Sequence, residues 1–189
     1  MRLIQQPSRC LATFPWAKFR RKKGGAKAHV LYDIVAQVPV FHTVTTASKH
    51  DSVAMFTIAC DPNAYYVFDR VCDSFKELYK IHLTSSFYVV RAKTNLKYKV
   101  VRWKRRIPKN ILTGAEVKLT GYLSEKKYPD SFRLIRFYDA EDEREFTSLA
   151  NAKHISTIDV ADLYKKRWMV ELFFKWLKQH LIDRQNSST

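Results

Sequence analysis

Acidic side chains are scarce in this sequence, and none precedes Asp33. Eighteen Asp and Glu stand against 34 Lys and Arg, a formal net charge of +16. That excess argues against a cationic partner and for a polyanionic one, nucleic acid first. A surface kept charged only for solubility would be served as well by a balanced mixture. Glycine and proline are also rare, at 4 and 6, which excludes a collagen-like or disordered chain. The three cysteines, Cys10, Cys60 and Cys72, are far apart and form no C-x-x-C pair. They fit free thiols in a reducing cytosol, not a disulfide framework or a zinc site. The six histidines include no H-x-x-x-H pair, so a histidine metal site is unsupported. No apolar run approaches the roughly 20 residues of a membrane span. Arg2 is followed by no apolar stretch of the kind a signal peptide carries.

Hydrophobic residues make up 46% of the chain and aromatics 14%, enough for one core across residues 1–189. Pro7 argues against a central strand in residues 1–13, because proline removes a ladder donor. Lys18, Arg20, Arg21, Lys22 and Lys23, with Phe19 among them, form a basic stretch ending at Gly24-Gly25. It reads as a loop or hairpin turn, facing phosphate or simply solvated. Residues 27–46 alternate and predict two strands joined near Gln37-Val38-Pro39. Asp51 is placed to cap a short helix through Ile58. Tyr65-Tyr66-Val67-Phe68 is a short apolar run delivering Asp69 at the end of a buried strand. Helical spacing of Phe75, Leu78, Tyr79 and Leu83 follows, then another buried strand, Ser86 to Val90. The order indicates a mixed sheet with helices packed on it, an α/β fold.

Residues 92–148 change character. Apolar runs at 99–103, 117–122, 132–138 and 145–149 alternate with charged turns and predict a β-rich insertion. Trp103 lies in it, suited either to stacking on an unpaired base or to packing. Ile158 to about Ile182 then predicts one long final helix, with Ser156 or Thr157 near its cap. Within it Tyr164, Arg167, Glu171 and Lys178 sit at offsets of 0, 3, 7 and 14. At about 100° per residue these fall within roughly 60° of one another. Most other directions carry bulk, including Trp168, Val170, Leu172, Phe174 and Trp176, so a largely buried helix with one polar stripe is expected.

The spacing Y-(2)-R-(3)-E-(6)-K resembles the signature of bacterial insertion-sequence transposases of the DDE type, the IS4-like group. The resemblance extends over nearly the whole chain. Phe14-Pro-Trp-Ala-Lys-Phe-Arg-Arg-Lys-Lys-Gly24 is similar to that group's F-W-A-x-F-R-x-x-K-G segment. His29-Val-Leu-Tyr-Asp33 and Thr45-Thr-Ala-Ser-Lys-His-Asp51 are similar to the strands that follow. Ala64-Tyr-Tyr-Val-Phe-Asp69-Arg70 is similar to the segment holding the second catalytic aspartate.

The resemblance implies a ribonuclease-H-like mixed sheet with flanking helices and a β-rich insertion before the final helix. It implies DNA cleavage and strand transfer at element ends, with Mg²⁺ or Mn²⁺ as cofactor. Asp69 and Glu171 would be catalytic acids and metal ligands. Tyr164, Arg167 and Lys178 would hold the DNA backbone. Partners would be double-stranded DNA, as element ends and target, and a second copy of the chain. Localisation would be the bacterial cytoplasm at the nucleoid, with no membrane. Two departures stand out. Counting back about seven residues from Cys10 reaches Leu3 where the first acid belongs, and Asp69-Arg70 is followed by Val71-Cys72 in place of Gly-Tyr. The expectation is an N-terminally truncated, catalytically defective copy. The alternatives are a non-catalytic DNA-binding protein and a metal-dependent nuclease using another acid, such as Asp33.

Overall fold

The structure, a computed structural model, describes residues 2–10, 18–19, 23–24, 26–46, 59–70, 75–105, 107–140 and 143–186. In chain order the strands before the first helix are β1 (Arg2–Cys10), β2 (Lys18–Phe19), β3 (Lys23–Gly24), β4 (Ala26–Asp33), β5 (Val38–Thr46) and β6 (Tyr65–Arg70). There follow α1 (Phe75–Leu83), β7 (Phe87–Arg91), β8 (Tyr98–Trp103), β9 (Ile111–Leu119) and α2 (Tyr122–Lys127). The chain continues through β10 (Phe132–Asp139), β11 (Arg144–Ala150), α3 (Thr157–Lys165) and α4 (Trp168–Asn186). β2 and β3 pair as a small hairpin, and the other nine strands form one sheet in the order β5-β4-β1-β6-β7-β11-β10-β9-β8.

The fold is mixed α/β. β1, β4 and β5 are antiparallel neighbours, while β6 runs parallel to β1 and β7 parallel to β6. β6, between parallel neighbours, and β7, between β6 and β11, are interior strands buried on both faces, which accounts for their unbroken apolar runs. Their period of two divides them between two cores. Val67 and Val89 join Val160, Tyr164, Val170 and Phe174 beneath α3 and α4. Tyr66, Phe68, Tyr88 and Val90 join Leu78, Ile81, Tyr128 and Phe132 on the α1 side.

The β-rich segment is continuous with this sheet. β11 pairs antiparallel with β7 through Ser148, Leu149 and Ala150. Buried Asn151 locks the junction: its Oδ1 accepts from the Tyr88 N–H at 2.7 Å and its Nδ2 donates to the Ser86 carbonyl at 2.9 Å.

Four expectations need correction. Residues 2–10 do form a central strand, since Pro7 falls within the register shift between Gln5 and Ser8. A bulge needs no ladder donor there. The strand expected at 117–122 instead runs from Ile111 to Leu119, and Tyr122–Lys127 is a short helix with no buried residue. Gly121 precedes that helix; a Cβ there would meet Ser124 Oγ at 2.6 Å and the hydroxyl would have to turn away. The single final helix is two helices. Arg167 N–H donates to Tyr164 O, and Met169 N–H to Lys166 O, so the chain tightens between them. In one unbroken helix the buried sets Val160/Ala161/Tyr164 and Val170/Phe174 would point roughly 100° apart; the break lets both face the sheet. Finally, α4 is not buried all round: Trp168, Leu172 and Trp176 are 53%, 49% and 52% exposed. The helix expected over 51–58 lies outside the described residues.

Candidate active site

Asp69 is the penultimate residue of β6, at the register shift between Phe68 and Arg70 against β7. The strand on its other side is β1, with Arg2, Leu3 and Ile4 opposite Tyr66, Val67 and Phe68. That pairing ends at Ile4 and Phe68, and the next residue of β1 is Gln5. Leu3, the position reached by counting from Cys10, pairs with Val67. Neither position carries an acid.

Asp33 ends β4, opposite Arg2. Its Oδ1 accepts the N–H groups of Val35 and Ala36 at 2.8 and 3.1 Å. The carboxylate therefore caps the turn into β5.

Glu171 lies in the first turn of α4, where a carboxylate also meets the positive end of the helix dipole. It forms an ion pair with Arg167, in the turn before the helix. The Glu171 side chain is 48% exposed and that of Arg167 only 16%. The Arg167 guanidinium stands 5.9 Å from the centre of the Tyr164 ring. That ring is itself in the core, with Phe146 at 5.5 Å and Phe137 at 6.2 Å. Arg167 and Glu171 thus come together, while Tyr164 supports them from inside. Lys165 is turned elsewhere, to Asp139 at 3.2 Å.

α4, which bears Glu171, is seated on the sheet by its apolar residues. Val170 and Phe174 are buried, the Phe173 ring lies 5.3 Å from that of Tyr32 on β4, and the helix contacts β1. Lys178 follows Glu171 on the same helix. Lys18 and Lys23 occupy the β2–β3 hairpin, and Arg20, Arg21 and Lys22 lie outside the described residues. Trp103 ends β8 on the other side of the sheet's midline and is 61% exposed. Among the described residues no group of three or more His, Cys, Asp or Glu could hold a metal ion, and no helix is long and apolar enough to cross a membrane.

The sequence profile of a family described as "Transposase DDE domain" matches residues 9–189. The chain is 32% identical over 171 residues to "Putative transposase y4zB" of Sinorhizobium fredii, covering 88% of this chain and 48% of that protein. It is 27% identical over 175 residues to "Probable transposase for insertion sequence element IS5377" of Geobacillus stearothermophilus, covering 88% and 44%. The chain spans about half the length of these relatives.

Proposed function

The chain belongs to the transposase DDE domain family, and from that premise we propose that it is a ribonuclease-H-like catalytic portion of an insertion-sequence transposase that grips DNA but does not complete strand transfer. The strand order supports the fold: a β1-β4-β5 meander, then β6 and β7 added in parallel on the other side of β1. The observation that carries the reading is the seating of α4. It packs on the sheet face that holds Val67, and Asp69 lies two residues further along the same strand, at its register shift against β7. On this reading Asp69 and Glu171 share one site although the β-rich segment separates them in sequence.

The family's chemistry calls for divalent metal, held by hard carboxylate oxygens. Two acids, Asp69 and Glu171, fall short of the three carboxylates that two metal ions require. Asp33 does not make up the deficit, being engaged in its turn. No catalytic step through a metal follows from this donor set. What remains is DNA holding. Arg167 has the planar fork suited to a phosphate, and Lys178 offers a point charge. In the protein alone Glu171 occupies Arg167; a phosphate competing for that guanidinium frees the carboxylate.

Mn²⁺ titration followed by electron paramagnetic resonance tests the shared site. Weak binding, diminished by both Asp69→Asn and Glu171→Gln, is expected. Binding untouched by both substitutions contradicts it. Arg167→Ala is expected to lower duplex affinity more than Lys165→Ala, because Lys165 is tied to Asp139.

A further inference from the structure

We propose that a cleft between β8, β9 and β10 seats one phosphate of a nucleic-acid strand, against buried Arg133. The cleft holds about 430 Å³ and is lined by Arg102, Lys104, Arg105, Arg133 and Lys153, with Glu116 the one acid. Glu116 is already engaged, by Lys153 and by the Ser131 hydroxyl. Four cations therefore remain to face whatever enters. Arg133 is only 9% exposed and stands between buried Phe132 and Leu134 on β10. Its Nη1 donates to the carbonyls of Ala152 and Ile155 at 2.8 and 2.7 Å. Its Nη2 is buried and has no partner among the described residues. A buried guanidinium N–H is costly to leave without an acceptor. Burial also pushes the Arg133 pKa down, against a smaller upward pull from Asp159. An anion in the cleft relieves both costs, and a tetrahedral phosphate offers oxygens matched to the guanidinium fork.

The position suits a strand of DNA rather than a small metabolite. The cleft is open, and exposed Trp103 adjoins it. Thr157, at the start of α3, lies beside Gly114 in its wall. The cleft is thus next to the face on which α3 and α4 pack. β10 is three strands from β6, roughly 14 Å at the usual strand spacing of about 4.8 Å. That is the reach of some four base pairs along B-DNA at about 3.4 Å each. A duplex crossing from β6 toward the sheet's far edge would meet β10, which carries Arg133, within half a turn.

This inference rests on the DNA-holding reading, but its test does not depend on the acids. Binding of the full chain to a fluorescein-labelled duplex of about 20 base pairs is read by anisotropy in EDTA over a salt series. Lys104→Gln/Arg105→Gln, both exposed, is expected to lower affinity about tenfold and to reduce the log–log salt slope by about two. Lys126→Gln/Lys127→Gln on α2 is the control, with less than about a twofold change expected. Arg133→Lys keeps the charge but loses the fork, and a loss of about threefold is expected under conditions where circular dichroism shows it folded. Equal losses in the two double variants would mean a diffuse field and overturn the site. Unchanged duplex affinity in Lys104→Gln/Arg105→Gln, with inorganic pyrophosphate binding lost, would assign the cleft to a free anion and overturn it as well. Failure of the unaltered chain to bind duplex at all would sink the functional reading itself.

Discussion

Between β1 and β7 the sheet is built of parallel neighbours, whereas from β7 out to β8 every pairing is antiparallel. The first region carries Asp69 near the end of β6 and seats α4, which bears Glu171. The second region settles much of its charge within itself. Arg136 pairs with Glu145, and Lys153 with Glu116. Arg102, Lys104, Arg105 and Arg133 gather in one cleft. The contrast teaches that holding DNA and cutting it make different demands. Cation-rich surface tolerates substitution, because many arrangements attract phosphate. A two-metal centre does not, because each carboxylate is a ligand. The proposed loss of strand transfer with retained DNA binding follows from that difference.

The comparison would break most visibly if the two regions proved to be separate folding units. Phe132 on β10 is fully buried, its ring edge-on to Tyr128 in the core that includes Tyr66 and Tyr88. Phe132→Ala is expected to cost about 3–5 kcal/mol and to shift a single unfolding transition seen by calorimetry. A second transition left at its original temperature would show that the regions unfold independently. The junction sharpens the same point. Asn151→Ala leaves the Tyr88 N–H and the Ser86 carbonyl without their buried partners, at about 2–3 kcal/mol. Chemical denaturation monitored by tryptophan fluorescence measures it. The smallest effect concerns pH. Hydrogen bonds from Lys153 and Ser131 hold Glu116 below the ordinary glutamate range. A carboxylate depressed in the folded state adds stability above its unfolded pKa and loses it as pH falls through its folded pKa. Glu116→Gln should therefore narrow the stability gap between neutral and acidic pH, read from melting temperatures across that range.

Much of the acid-bearing region was legible because local pattern and final environment agree. The run Tyr65–Phe68 reads as buried strand and is one. The helical spacing after Phe75 and the N-cap at Ser156 also hold, the latter as a capping box with Asp159. What was hidden depends on partners distant in sequence. Pro7 argues against a strand until β4 supplies a bulge to absorb it. The turn at Lys166–Arg167 exists because Tyr164 is anchored by Phe137 and Phe146, which no helical period records. α2 has no apolar stripe to announce it. Arg133 looks like one polar residue in a strand; only the fold shows it buried, with the carbonyls of Ala152 and Ile155 as its partners.

The most direct measurement is strand transfer by the purified chain on duplex carrying matched element ends, with Mg²⁺ or Mn²⁺ and a supercoiled target. Gel retardation in the same reactions reports binding. The account predicts retarded duplex, with affinity falling steeply as salt rises, and no joined product. Joined product at normal yield, abolished by Glu171→Gln, would mean that a complete metal centre forms without an acid at Leu3 or Gln5, and would contradict it.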